Sequence, residues 1–202
     1  MDKIKIDDIV LKETEIIARE ILLKFVDVYR YIIPIFDKGR AYRIPIQYYD
    51  KFREKNREQF SRELYRLKKA RFVRKYIDKK GDIFLELRPK GKKRLKTYIL
   101  DELEIKKPKK WDGKWRMVIY DIADDKKNER QMIKDKLESL GFLKLQESVY
   151  IYPFDCWEEI DLIQKMYCLD PHIQYIVADR VETEKNLINK FLDIEVLQKK
   201  MI

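Results

Sequence analysis

Cysteine and histidine are scarce here: two and one in 202 residues, with five glycines and six prolines. Cys156 and Cys168 show neither CxxC nor zinc-ligand spacing, and His172 has no second histidine beside which to hold a metal. That excludes a structural zinc site and a disulfide framework. No apolar run approaches the roughly 18 residues of a membrane helix, and Met1 to Asp8 lacks the apolar stretch of a secretory signal. The expectation is a cytoplasmic, reduced protein with no cofactor and no membrane segment. What the chain has in abundance is charge, at 41% of residues, beside enough apolar residues, 45%, to bury real cores.

The charge is unevenly placed. Residues 1–110 carry 32 Lys and Arg against 18 Asp and Glu, a net of +14, while residues 111–202 carry 14 against 18, a net of −4. Such a division suits one half that meets a polyanion and another with a different task. A lysine-rich surface that is merely solvated gives the same count.

The central stretch is Lys114 to Ile122, an apolar run closed by Asp121. Its β-branched and aromatic residues predict a buried strand covered on both faces. Upstream, Lys12 to Tyr31 has helical spacing, with Thr14 as a cap, Ile17, Ile21 and Val28 on one stripe, and Pro34 as the stop. That stripe serves core packing or a dimer surface. A polar loop is expected from Asp37 to Arg43 around Gly39, then helices over Gln47–Lys55 and Glu58–Ala70. In the second of these Phe60, Leu64 and Leu67 face inward, while Ser61, Arg62, Tyr65, Arg66 and Lys69 share the opposite arc. Basic and hydroxyl side chains of this kind contact phosphates and base edges in a major groove. Phe72–Ile77 and Ile83–Leu87, joined by a turn with Gly81, predict a hairpin that carries Arg74, Lys75, Lys79 and Lys80. Three helices and a lysine-tipped hairpin give the order of a winged helix-turn-helix. A helical domain with an ordinary basic hairpin has the same order.

Arg88 to Tyr98 predicts a short closing helix, and the charged stretch 101–113, with Pro108 and Gly113, a linker. Beyond the central strand, Lys126–Leu140 is helical and stops at Gly141, and Phe142–Pro153 is two strands or one bent strand. Asp155 with Glu158 suggests a capping box opening a helix, and Ile173–Val177 is the last strand. Strand, helix, two strands, helix, strand is the ferredoxin-like order. The fold class expected is therefore α+β: a winged helix-turn-helix domain (1–100), a basic linker (101–113) and a ferredoxin-like βαββαβ domain (114–202). Ser148–Pro153 as an apolar edge and the Ile, Leu and Val after Lys185 suggest a homodimer through the second domain.

Several of these segments resemble a known family. Lys107-Pro108-Lys109-Lys110-Trp111-Asp112-Gly113-Lys114-Trp115-Arg116, Leu140-Gly141-Phe142, and Leu145 to Pro153 with Asp155-Cys156 are similar to the central domain of PaaX-like transcriptional repressors. Tyr65-Arg66-Leu67-Lys68-Lys69 and Lys90-Gly91-Lys92-Lys93 resemble that family's winged-helix half, which adds Lys68 to the DNA-binding set. The resemblance implies a repressor-like regulator that binds duplex DNA as a homodimer. Repressors of this family carry a further C-terminal domain that senses an acyl-CoA effector. The sequence ends at Ile202, so a chain without that domain is expected, its effector unknown. The central domain is also similar to CRISPR-associated protein 2, in which an acid matching Asp121 is the proposed metal ligand. That implies an alternative, a Mg²⁺-dependent nuclease or spacer-integration subunit using Asp121. Asp121 equally suits a turn cap or a partner for Arg130 or Arg116. A third reading is an RNA-binding or scaffold protein.

Overall fold

The computed structural model describes residues 16–26, 41–55, 57–169 and 172–202, in two compact units, Met1–Glu102 and Leu103–Ile202. The architecture is α+β, with helices and two antiparallel sheets.

In the first unit, α1 (16–26) buries Ile17, Ile21, Leu22 and Phe25, the stripe its spacing predicts. Thr14, and the continuation through Val28 and Pro34 to Gly39, lie outside the described residues. β1 (Tyr42–Pro45) follows, then a 3₁₀ turn (Ile46–Tyr49), α2 (Asp50–Lys55), α3 (Arg57–Lys69), β2 (Val73–Ile77), β3 (Ile83–Leu87) and α4 (Pro89–Glu102). The polar loop expected to run through Arg43 gives way to a strand. Tyr42 and Ile44 are fully buried and Arg43 points the other way, the alternation of a pleated strand, in a run too short to declare itself. β1 and β2 both pair with β3, so β3 is central. The Tyr49 hydroxyl donates to the Ile21 carbonyl at 2.9 Å and fastens α1 to the 3₁₀ turn. Arg19 on α1 pairs with Glu102 at the end of α4. Pro89 opens α4, where its missing N–H costs nothing.

The linker expected over 101–113 is corrected. Asp101 and Glu102 are the last residues of α4. From Leu103 the chain belongs to the second unit, with Ile105 and Trp111 buried among lysines. The Trp111 N–H donates to the Met201 carbonyl at 2.9 Å, and Lys107 Nζ to the Glu195 carbonyl at 2.8 Å. Two apolar side chains outweigh the charge around them, because their burial is worth roughly 1.5–3 kcal/mol each while the lysines stay solvated.

The second unit runs β4 (Trp115–Tyr120), α5 (Lys127–Ser139), β5 (Leu143–Gln146), β6 (Val149–Tyr152), α6 (Trp157–Tyr167), β7 (Ile173–Ala178) and α7 (Glu184–Asp193). Its sheet has the order β5-β6-β4-β7, every pair antiparallel. β4 is interior, but only Trp115, Val118 and Tyr120 of its core side chains are well covered; Met117 and Ile119 are half-buried. Ser148–Pro153 is not an edge. β6 lies between β5 and β4, and its consecutive buried residues Tyr150, Ile151 and Tyr152 mark a strand covered on both faces. Nor is the apolar tail left over for a partner: Leu187, Phe191, Val196, Leu197 and Met201 are buried. Phe191 stacks on Trp115, with ring centroids 5.8 Å apart. Gly141 ends α5 at φ +88°, which lets the Phe142 N–H return to the Leu137 carbonyl. At α6 the capping position is Cys156, whose side chain caps nothing; Asp155, one residue earlier, accepts the Trp157 N–H at 3.2 Å. The capping box expected from Asp155 and Glu158 therefore does not form.

Candidate nucleic-acid interface

α3 buries Phe60 and Leu67 and half-buries Leu64, so the opposite arc is left to solvent. Ser61, Arg62, Tyr65, Arg66 and Lys69 are all exposed on it, Tyr65 at 64%. Among the described residues Arg62 has no acid partner. Arg66 does: its Nη1 lies 2.8 Å from Oε1 of the buried Glu63, one turn back. The guanidinium of Arg66 is thereby oriented, and that of Arg62 can reach outward. α3 closes on Arg71 in the left-handed region, φ 63°, with the Phe72 N–H bonded to the Leu67 carbonyl, and this turn aims β2 back along the helix.

The hairpin divides the residues expected to lie along it. Lys79 and Lys80 sit exposed at its tip, where Asp78 accepts the backbone N–H of Lys80 and Asp82, both at 2.9 Å. Arg74 and Lys75 are neighbours on one strand and so point to opposite faces. Lys75 joins Ser61, Leu64 and Lys68 of α3 and Arg53 of α2 around a cleft of about 280 Å³ floored by Phe60, Ile83 and Leu85. Arg74 faces away from it. Its Nε lies 2.7 Å from Oε1 of Glu86, whose Oε2 accepts Arg43 Nε at 2.7 Å, with Arg88 at 3.6 Å. Arg43, Arg53, Arg88 and Glu86 were not legible as site residues. The signals were the in-out alternation of Tyr42-Arg43-Ile44 and one acid inside the apolar strand Ile83–Leu87.

Burial raises the proton affinity of Glu86, but the hydrogen bonds and charges of Arg74 and Arg43 outweigh it and hold the carboxyl below its ordinary value of 4.5. A depressed carboxylate contributes stability that is complete above the ordinary carboxylate range and is lost as pH falls through the folded value. Acid titration of the first unit's melting temperature, from about pH 6 to about pH 3, should show this loss. Glu86→Gln should flatten that limb while lowering stability near neutrality.

Residues 108–188 match the family described as PaaX protein central Cas2-like domain. The match lies within the second unit. No curated relative matches the sequence. Among solved structures, the uncharacterized protein Rv0674 from Mycobacterium tuberculosis aligns over 69% of this chain at 17% identity and a TM-score of 0.35. The chain spans 54% of that protein's length, and a likeness of this size carries no argument.

In the second unit Asp121 stands just past β4, exposed, with its N–H bonded to the His172 carbonyl at 2.9 Å. The backbone of the chain's lone histidine is thus bonded to that of this acid. Arg116 is not the partner of Asp121. It is buried and forks onto Asp112 at 2.7 and 2.5 Å, with a third bond to the Pro153 carbonyl at 3.1 Å. The Arg116 bond holds the Asp112 carboxyl below the usual range, against the opposing effect of burial. Arg130 donates to the Ile122 carbonyl. Among the described residues no group of three or more His, Cys, Asp or Glu is placed to hold a metal ion. Burial pushes the Cys156 thiol up to about 12, with the Tyr175 hydroxyl 3.8 Å from its sulfur; a thiol so placed is inert at neutral pH.

Proposed function

We propose that the chain is a DNA-binding transcription regulator of the PaaX kind. Its first unit acts as a winged helix on duplex DNA, with α3 as the recognition helix and the β2–β3 hairpin as the wing. Its second unit, ferredoxin-like in order, pairs two copies. The carrying observation is the exposed arc Ser61, Arg62, Tyr65, Arg66 and Lys69 beside the lysine-tipped hairpin. Base edges are read by Arg62 and Tyr65, and by Arg66 once its contact with Glu63 is shared. Lys69, Lys79 and Lys80 take phosphates. Of the two edge strands, β5 and β7, the one for pairing is β7, where Ile176 is 38% and Val177 51% exposed. Two copies would present two α3 helices to half-sites about one helical turn apart.

The test is a genome-selected duplex, titrated beside a scrambled one at several salt concentrations. Arg62→Ala should cost about 1–3 kcal/mol on the selected duplex and little on the scrambled one. Lys79→Ala with Lys80→Ala should weaken both alike and reduce the salt slope by about 2. Sedimentation of the complex should give two chains per duplex. If both variants bound both duplexes like the parent, α3 would not be the reading element.

A further inference from the structure

The first unit has a second cationic surface, on the side of its sheet that α3 does not occupy. Register sets Arg43, Glu86 and Arg74 in one row across β1, β3 and β2, with Pro45, Phe84 and Tyr76 in the next. Their neighbours Tyr42, Ile44, Leu85, Leu87 and Val73 point the other way and are buried. α3 is on that buried side, because its residues Ser61, Leu64 and Lys68 line one cleft with Lys75, Ile83 and Leu85. The arginine row therefore faces away from the recognition arc.

Glu86, 4% exposed, is contacted by three guanidinium groups. The side chains of Arg43, Arg74 and Arg88 are 36%, 51% and 43% exposed. Planar guanidinium forks gathered in one row match the geometry of phosphate oxygens. Aromatic surface is interleaved with the charge. The Arg43 guanidinium lies 3.6 Å over the Tyr76 ring, and Tyr76 is 6.2 Å from Phe84. Stacked planes next to a backbone-binding groove are what unpaired bases require. A duplex hides its base faces, and an acidic peptide would use the arginines and leave the planes idle.

We propose that this sheet face is a second nucleic-acid site, which binds single strands with Arg43, Arg74 and Arg88 on the phosphates and bases stacked on the Arg43–Tyr76 platform. It does not depend on α3 being a recognition helix.

The experiment is fluorescence anisotropy of a labelled oligothymidylate with the full chain, across a salt series. The parent should bind. Arg88→Gln, which leaves the shorter Arg43–Glu86–Arg74 contacts in place, should reduce the salt slope by about 0.7, the value of one phosphate on a single strand. Substituting Arg43, Arg74 and Arg88 by Gln together with Glu86→Gln avoids a stranded carboxylate. That variant, shown folded by circular dichroism, should bind at least roughly tenfold more weakly and lose about 2 from the slope. Unlabelled duplex and polyglutamate should displace the oligothymidylate poorly. Unchanged binding by both variants, or equal displacement by either competitor, would overturn the proposal. Loss of duplex discrimination in Arg62→Ala bears on α3 alone, so the two readings fail separately.

Discussion

Gly91→Ala should cost the first unit about 3 kcal/mol or more, although helix propensity alone would make it stabilising by roughly 0.5–1 kcal/mol. The reason is the close approach of α4 to the turn before β2. A Cβ built on Gly91 would stand 2.1 Å from the Phe72 carbonyl oxygen and 2.8 Å from a Leu87 methyl. The Phe72 oxygen cannot yield, because it already accepts the Arg88 N–H at 2.9 Å. The helix would have to lift, withdrawing Leu95, Tyr98 and Ile99 from the core they are buried in. Thermal melts by circular dichroism give the measurement. Tryptophan fluorescence serves as the comparison, since Trp111, Trp115 and Trp157 all lie in the second unit. An unchanged or raised midpoint for the first unit would mean that α4 shifts at no cost.

Trp115→Ala should remove about 3–5 kcal/mol from the second unit. Trp115 is fully buried, stacked on Phe191 and met edge-on by Trp111 at 4.8 Å. Its removal leaves a void between the start of the central strand and α7, which few neighbours can fill. Trp115→Phe should be far milder than its loss of volume implies. The indole N–H of Trp115 is buried with no acceptor among the described residues, and an unpaired buried donor costs about 1–3 kcal/mol. Phenylalanine keeps the stacking and deletes that penalty. Urea denaturation followed by the remaining tryptophans compares the two, and equal losses for Ala and Phe would refute the role given to the N–H.

The order of elements other than β1 was legible because it rests on local spacing. Phe60 and Leu67 recur at helical intervals, Gly141 stops α5, and Gly81 sits in the hairpin turn. What needed partners distant in sequence was not legible. Four residues of β1 are a strand only because Tyr42 to Pro45 pair with Phe84 to Leu87, some forty positions on. β6 reads as an edge or a centre equally well until β5 and β4 are placed on either side of it. The basic arc of α3 follows from 100° per residue, but the Glu86 cluster is built from three strand ends and could not be read along the chain. The lysines of 106–110 masked Ile105 and Trp111, since composition counts charges and packing counts the side chains that leave water.

The pairing of residues 107–111 with residues 195–201 also sets an order in time. Lys107 waits 88 residues for the Glu195 carbonyl, and Trp111 waits as long for Met201 before its N–H has a partner. Contacts of such separation form only after the entropy of closing the intervening loop has been met. During synthesis the opening segment of the second unit therefore leaves the ribosome without its acceptors. These two bonds of the opening segment close only after residues 195–201 have followed it.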